Sequence, residues 1–485
     1  MEEVKMKNGL KNSVPLKALT KRKVIVMKTK FIPLYILALS ITSVSCKKFL
    51  DAEPPKNVTA AGLAFQDEKI ATSTVLGLYT SMNGYNNQFA SGFLSMLMSF
   101  TADDYYYAAA SYDAYKNNSL LPSTSYLDRM WSQPYAIIGH ANSVIEGVEA
   151  SSLSTSVKAQ LTGEAKFVRA FCYFYLVNMF NKVPLVKDTD VFKNTSLPQS
   201  TKQEVYEFIT QDLVDAVANL SDAYPSAERV RPNKKAAQAL LARVYLYTQK
   251  WDLAESTASL VIADNRYKIP ADLKSVFLKT SEEAIWQLLT VNTSTAGVNT
   301  WEGFSMVPTT TTGNPLYRVY QTTLDAFAST DKRKLDWTTE QVYNSVPYRY
   351  PSKYKYRTAT PVVEYNTVLR LAEQYLIRAE ARANIGTPAK ISEAIDDLNV
   401  LRSRANAQPS LSSNLSKADA LLAVENERRF ELLGEWGHRW FDLVRTNRAV
   451  PVLSVTKANG FTASDMLIPI HDDILKTNTN LKPND

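Results

Sequence analysis

The 485-residue sequence holds two cysteines, Cys46 and Cys172, and three histidines, His140, His438 and His471. Two distant cysteines give no metal-ligand spacing, and three scattered histidines give no zinc set. G-x-S-x-G, H-E-x-x-H and a phosphate-cradling glycine loop are all absent, so the chemistries those motifs carry have no carrier here. No apolar run reaches the roughly 20 residues that a membrane-spanning helix takes. Excess charge is missing too, once the N-terminus is set aside. The formal charge is +7, but residues 1–45 hold nine of the 55 Lys/Arg and two of the 48 Asp/Glu, which leaves 46 of each. The remainder is formally neutral and offers no basic patch to a phosphate backbone, so nucleic acid is not an expected partner.

What is present begins with a leader. Lys28-Thr-Lys30 precedes a short apolar run from Phe31 to Ser45, the pattern of a secretory signal peptide over residues 1–45. Met27 would start a conventional leader, so residues 1–26 are expected to be an over-long start. Cys46 follows Ser43-Val44-Ser45 in the manner of a bacterial lipobox, so Cys46 is the expected lipidation site. Residues 46–60, polar and proline-bearing, read as an acylated tether.

From residue 61 to 485 the pattern is mainly helical, with a helical frame expected at about 128–265 and 366–450. Gly163 to Phe180 is apolar on nearly every side, as a central core helix is, and Cys172 within it reads as a small buried hydrophobe. Thr201 with Glu204 starts the next helix as a capping box. Leu241-Ala-Arg-Val-Tyr-Leu246 matches Leu371-Ala-Glu-Gln-Tyr-Leu376, and Arg169-Ala-Phe-Cys-Tyr-Phe174 is a weaker copy. Each puts an alanine three residues before a tyrosine on one face, and each is followed by a second helix, at 201–220, 251–263 and 391–404. Such small-plus-aromatic hairpins resemble tetratricopeptide repeats, here unevenly spaced and interrupted by a variable, loop-rich insertion at about 266–365. Within that insertion, Ala284 to Val291 is strand-like.

Two stretches read as long loops. Residues 84–126 are rich in Asn, Ser and Tyr, and residues 292–314 in Thr, Gly and Asn around Trp301 and Phe304. Tyr105, Tyr106, Tyr112, Trp301 and Phe304 are the candidate ligand-binding rings, because sugars present apolar faces to aromatics and a frame helix has no need of these. Trp301 stands out as a lone Trp with little apolar company. Asp103-Asp104 is the best carboxylate pair, but adjacent acids point apart, whereas a glycosidase pair faces across a gap. The pair reads as loop hydrogen-bonding groups or as part of a calcium set. No catalytic residue, metal site or cofactor is expected.

Near the C-terminus, Glu427, Glu431 and Glu435 fall at i, i+4 and i+8, with Arg428 and Arg439 within three or four residues of Glu431 and Glu435. Phe430, Trp436, Trp440 and Phe441 surround them. The cluster reads either as catalytic carboxylates or as a structural ion-pair network, and the close bases favour the network.

This stretch, Glu-Arg-Arg-Phe-Glu-Leu followed by Gly-Glu-Trp-Gly-His-Arg-Trp-Phe-Asp-Leu-Val-Arg445, resembles the C-terminal signature of the SusD/RagB family, nutrient-binding lipoproteins of the Bacteroidota outer membrane. The Cys46-Lys-Lys-Phe-Leu-Asp51 opening, Trp131 with Tyr135 and Asn142, and Met466-Leu-Ile-Pro-Ile-His471 extend the likeness. The resemblance implies a mainly α, tetratricopeptide-like fold and a lipid-anchored protein facing the exterior. It further implies that the protein captures an oligosaccharide or related nutrient without cutting it and passes it to a SusC-like TonB-dependent transporter. The competing expectation is a tetratricopeptide-type scaffold that binds protein segments and has no sugar site.

Overall fold

A computed structural model of the chain describes residues 64–84, 88–291, 295–457 and 460–484. The expected leader at 1–45, the lipidation site Cys46 and the tether at 46–60 lie outside the described residues. Helices of eight residues or more are α1 (Glu68–Met82), α2 (Leu94–Thr101), α3 (Leu127–Ala150), α4 (Thr155–Phe180), α5 (Lys202–Asn219) and α6 (Lys234–Tyr247), then α7 (Trp251–Ile262), α8 (Leu371–Ile385), α9 (Pro388–Ala405), α10 (Lys417–Glu431), α11 (His438–Arg445) and α12 (Ala449–Thr456). Among the described residues six short strands form three antiparallel pairs. β1 (Tyr105–Tyr107) pairs with β3 (Tyr317–Val319), β2 (Ala284–Leu288) with β6 (Asn366–Arg370), and β4 (Thr338–Tyr343) with β5 (Val346–Pro351). The fold is mainly helical and tetratricopeptide-like.

Local chemistry sets the helix starts. The Thr201 hydroxyl accepts from the Glu204 amide at 3.3 Å, and the Glu204 carboxylate accepts from the Thr201 amide at 2.8 Å. Asn233 and Ser416 cap α6 and α10 by accepting from amides three residues on. At the end of α4, Asn181 takes a positive φ of 64°. α4 packs between α3 and α5, and its residues from Phe167 to Val177 are all buried. Cys172 sits among them, and burial pushes its thiol up in pKa.

The repeat copies become hairpins. α6 with α7, and α8 with α9, are paired helices, and α8 also packs on α7. Ala170, Ala242 and Ala372 are each fully buried. Ala242, Ala254, Ala258 and Ala381, with Leu246 and Ile377, form one small-residue cluster that lets α6, α7 and α8 approach closely. Tyr245 remains half-buried at its rim, and Tyr375 is half-buried against the neighbouring cores. Buried ion pairs cross the frame, Arg169 to Asp212 at 2.8 Å and Arg243 to Glu373 at 2.5 Å.

The two segments expected as loops contain more order than their composition suggests. Residues 88–126 include a π-helical turn, Phe89–Phe93, and α2, every residue of which is buried. Likewise Trp301 is not in open loop. It begins a short helix, Trp301–Met306, whose first turn is capped by the Thr300 hydroxyl accepting from the Gly303 amide at 3.0 Å. Gly92, at φ 84°, is the reason the turn and this helix can meet, since a Cβ there would lie 2.5 Å from the Glu302 side-chain carbon.

Candidate functional site

The C-terminal stretch gathers the molecule. Glu431 ends α10 fully buried and meets Arg333 at 2.9 Å, Arg370 at 2.7 Å and the Arg404 guanidinium. Glu427 pairs with Arg333 at 2.6 Å and Arg402 at 3.2 Å, while Glu435 pairs with Arg370 at 2.8 Å and with Lys353. With Asp331 and Glu283, five carboxylates face five bases. Burial alone would raise the Glu431 carboxyl, but the three guanidiniums outweigh it and hold the group well below the usual carboxylate range. The partners differ from those the helical spacing suggested. Arg428 bonds Asp442 at 2.6 Å, and Arg439 bonds Asp103 at 2.7 Å and Glu425 at 3.3 Å. The local pairs were displaced because Glu431 and Glu435 turn inward to bases from three other segments.

Those partners reveal what the cluster holds. Asp331, Arg333 and Lys353 belong to the insertion, and Asp103 belongs to the segment after α2. Arg429 at 2.9 Å joins Arg439 on Asp103, and together they outweigh its burial and lower its pKa. Asp104 points the other way and accepts from the Gly434 amide at 3.1 Å. Burial and the Asp103 charge push its carboxyl up to about 7. Neither acid faces a cleft, and among the described residues no cluster of His, Cys, Asp or Glu is placed to hold a metal ion.

The two segments pinned in this way carry the rings. In β1 and β3, Tyr105 lies opposite Val319, Tyr106 opposite Arg318 and Tyr107 opposite Tyr317. Strand alternation sends Tyr105 and Tyr107 to one side and Tyr106 to the other. On the first side Phe100 is the hub, 5.7 Å from Tyr105, 5.3 Å from Tyr112 and 6.1 Å from Tyr317 between ring centres. Tyr107 abuts Tyr112 and Tyr317 edge to face, each at 5.1 Å, and Tyr112 stacks on Tyr126 at 5.8 Å. On the other side Tyr106 lies 4.9 Å from Tyr320. Farther along, the Arg318 guanidinium lies 3.5 Å from the centre of the Tyr348 ring in β5. Tyr106, Tyr107, Tyr112, Tyr126, Tyr320 and Tyr348 are all half-buried. Burial, then neighbouring Tyr126, raises the Tyr112 phenol, which stays a neutral hydrogen-bonding group at ordinary pH.

The candidate rings thus divide. Tyr112 belongs to the group around Phe100 and Tyr106 to the pair with Tyr320 across the strands, and these half-buried rings with Tyr107, Tyr126 and Tyr348 form a tyrosine strip along both sides of the β1–β3 pair. Tyr105 is fully buried beneath it, with its ring edge 2.8 Å from where a Cβ on Gly434 would be. Trp301 is only 2 % exposed and its indole N–H donates to the Gly84 carbonyl, so it has abundant company and no open face. Phe304 is half-buried, with Trp301 at its edge and the Arg357 guanidinium 4.2 Å from its ring centre. Tyr107, Tyr126, Tyr317, Tyr320 and Tyr348 went unselected in the sequence. The alternating Tyr105–Tyr107 run was a usable signal, but its partner strand 210 residues later was not.

Beneath the strip, Tyr105, Glu302, Lys353 and Glu435 line an interior cavity of about 30 Å³. Burial pushes the Glu302 carboxyl up to about 7, and Asn366 donates to it at 3.1 Å. A space that holds a water or two has no room for a sugar ring.

Among the described residues no helix is long and apolar enough to cross a membrane. The chain matches two family descriptions in succession, "Starch-binding associating with outer membrane" over residues 48–246 and "SusD family" over residues 313–484. A SusD-like protein of Bacteroides ovatus is 26% identical over 88% of this chain and 84% of its own length. One from Formosa agariphila is 23% identical over 92% of this chain and 95% of its own. Among solved structures, a laminarin-binding SusD-like protein superposes with a TM-score of 0.73 at 26% identity, covering 87% of this chain and 99% of the other. A SusD-like protein of Bacteroides fragilis shares the fold at TM-score 0.74 and 20% identity, over 87% and 97%. Two successive family matches, relatives aligned over nearly their whole length and the shared fold agree with the C-terminal signature: the chain belongs to the SusD/RagB family of carbohydrate-binding, outer-membrane-associated proteins.

Proposed function

We propose that the protein captures an oligosaccharide at the outer membrane by stacking it on the tyrosine strip, without cleaving it. The observation that carries this reading is a set of six half-buried tyrosines, Tyr107, Tyr112 and Tyr126 on one side of the β1–β3 pair, Tyr106 and Tyr320 on the other and Tyr348 beside Arg318, on two segments that the ion-pair cluster fixes to the frame. Rings on a surface, edged by Arg318, Arg129 and Lys116, supply apolar faces for sugar C–H groups and donors for hydroxyls. Tyr106, Tyr112 and Phe304 stay in the binding set, Tyr107, Tyr126, Tyr320 and Tyr348 join it, and Tyr105 and Trp301 become supports beneath it. The laminarin-binding relative makes β-glucan the first ligand class to try. Non-catalytic action is supported by where the carboxyls raised to about 7 lie, Glu302 at a 30 Å³ cavity, Asp104 against the Gly434 amide and Glu364 buried against the Lys355 and Tyr356 amides, none with space for a glycosidic bond.

Lipidation at Cys46, an outward-facing position and hand-over to a SusC-like TonB-dependent transporter complete the proposal. They rest on the apolar leader before Cys46 and on family membership. The test is a glycan array on the purified protein followed by calorimetry with laminarin and with the best array ligand. Binding with no new reducing ends is the expected result. Silence across the array, with protein segments captured instead, would favour the scaffold reading, and released product would overturn the non-catalytic one. Incorporation of labelled fatty acid into wild type but not into Cys46→Ala checks the anchor, and recovery of the transporter with the wild-type protein checks the partner.

A further inference from the structure

Twenty arginines lie among the described residues, and sixteen of them pair with an aspartate or glutamate. The exceptions are Arg129, Arg229, Arg318 and Arg357. Arg229 is satisfied by main chain, because its guanidinium donates to the carbonyls of Ser281, Glu282, Ala284 and Arg266. Each of the other three lies over a ring already placed in the binding set. The guanidiniums stand 5.4 Å from the ring centre of Tyr126, 3.5 Å from that of Tyr348 and 4.2 Å from that of Phe304. Elsewhere this protein matches its guanidiniums with carboxylates. Unmatched ones gathered on the binding rings point to an anion that the ligand brings.

Their free edges can be reached. Arg318 donates through Nε to the Pro315 carbonyl at 3.0 Å and through Nη2 to the Asn314 side-chain oxygen at 2.7 Å, which leaves Nη1 without a protein partner among the described residues. Arg357 donates through Nη1 alone, to the Phe304 and Val307 carbonyls. Arg129 has only its ring contact among the described residues. All three side chains are half-buried, and none of their unpartnered nitrogens is enclosed. Lys116, over Tyr106, is by contrast matched by Asp113 at 2.7 Å and adds little charge. Arg318 also covers the face of Tyr348 on which a neutral sugar would stack. In place of that face it offers a planar fork of donors, which fits two charged oxygens by parallel bonds.

We propose that the oligosaccharide taken by the tyrosine strip is acidic, carrying carboxylate or sulfate groups, and that Arg318 grips one of them, with Arg129 and Arg357 as further anion contacts. The inference rests on the sugar-binding reading of the strip and narrows it to a ligand class. Sugar C–H faces stack on open rings such as Tyr106 and Tyr112, while the anionic substituents reach the guanidiniums. A uronic acid and a sulfate ester present the same feature to an arginine, paired oxygens that share a negative charge. Such a charge-assisted bond is stronger than one to a neutral hydroxyl. Neutral glucan is then the weaker ligand, held by the rings and by ordinary hydrogen bonds.

The test is calorimetry on the purified protein with two matched pairs of glycans. One pair is cellohexaose and the β-1,4-linked hexamer of glucuronic acid, and the other is laminarin and sulfated laminarin. At low salt at least one acidic member should bind about tenfold more tightly than its neutral counterpart, and the gain should shrink in about 0.5 M NaCl. Arg318→Gln should weaken that acidic member about tenfold, and its neutral counterpart, which loses only a bond to a hydroxyl, about threefold at most. Arg318→Lys keeps the charge without the fork and should fall between wild type and Arg318→Gln. Arg129→Gln, at a side chain with no protein hydrogen bond to lose, gives a second reading of the same loss at an unchanged melting temperature. Preference for the glucuronic acid hexamer assigns the anion as a carboxylate, and preference for sulfated laminarin assigns it as a sulfate ester. Equal affinity within both pairs, or an acidic preference that survives every substitution, would overturn the inference and leave the strip reading standing. Failure of all four glycans to bind would overturn the strip reading, and the inference with it.

Discussion

The C-terminal cluster and the tyrosine strip invert the usual distribution of residues. Charges fill an interior site around Glu431, which is fully buried, while tyrosine rings lie partly open around Tyr112. Inside, every carboxylate named in the cluster finds a base, so the charges close on one another and are free for nothing else. Outside, rings touch rings and stay partly open. The comparison separates the roles that the sequence mixes together: the charged signature holds segments in place, and the segments it holds carry the half-buried rings proposed as the binding surface. Arg439 and Arg429 grip the residue two positions before Tyr105, and Arg333 and Lys353 flank β4 and β5.

The largest expected effect comes from breaking the interior side. Glu431→Ala leaves Arg333, Arg370 and Arg404 short of one shared carboxylate, and removing one member of a buried ion pair costs about 3–5 kcal/mol. Thermal unfolding should show a large drop in melting temperature or a collapse in yield. A variant with wild-type stability and lost glycan binding would move Glu431 from support to site. Trp301→Ala should act in the same direction, because replacing a buried Trp by Ala costs about 3–5 kcal/mol through lost contact and a cavity. Chemical denaturation measures this, and a variant that unfolds like wild type would mean that the indole is not part of the packing.

A titration sharpens the contrast further. With its carboxyl raised to about 7, Glu302 keeps a proton in the folded protein that the unfolded chain releases from about pH 4.5 upward. Stability from this residue therefore falls as pH rises through that window and is fully lost above 7. Glu302→Gln removes the dependence. The variant should match wild type near pH 4 and exceed it at pH 8 by roughly 3 kcal/mol at most. Denaturation at the two pH values checks it, and a constant difference between variant and wild type would show that Glu302 does not titrate in this range.

The frame was largely legible because helix periodicity, alanine–tyrosine spacing and caps such as Thr201 with Glu204 are local signals. The strip was legible in part. Tyr106 and Tyr112 could be picked out from composition, but the difference between Tyr105 and Tyr106 depends on which face of a three-residue strand meets Phe100. Trp301 misled for the opposite reason. A polar neighbourhood in sequence implied an open loop, whereas the indole is buried and donates to the Gly84 carbonyl, more than 200 positions earlier. The ion-pair cluster showed its residue types and nothing of its partners, since Asp103, Arg333, Lys353 and Arg370 arrive from far along the chain.

The smallest expected effect on stability is on the outer side of the comparison, and it discriminates most sharply between the two regions. Tyr112 is half-buried, touches Phe100, Tyr107 and Tyr126, and forms part of the open strip. Tyr112→Ala removes a ring whose neighbours can still pack on one another, so the melting temperature should move little. A contact aromatic at a binding centre is worth about 2 kcal/mol, which is roughly thirtyfold in affinity at about 1.4 kcal/mol per decade. Calorimetry with the best array glycan should therefore show a loss of that order in Tyr112→Ala. Tyr112→Phe should retain most of the affinity, because the stacking face survives. If both substitutions leave affinity unchanged, the glycan does not lie on this part of the strip. If the phenylalanine variant falls as far as the alanine one, the hydroxyl rather than the ring face makes the contact.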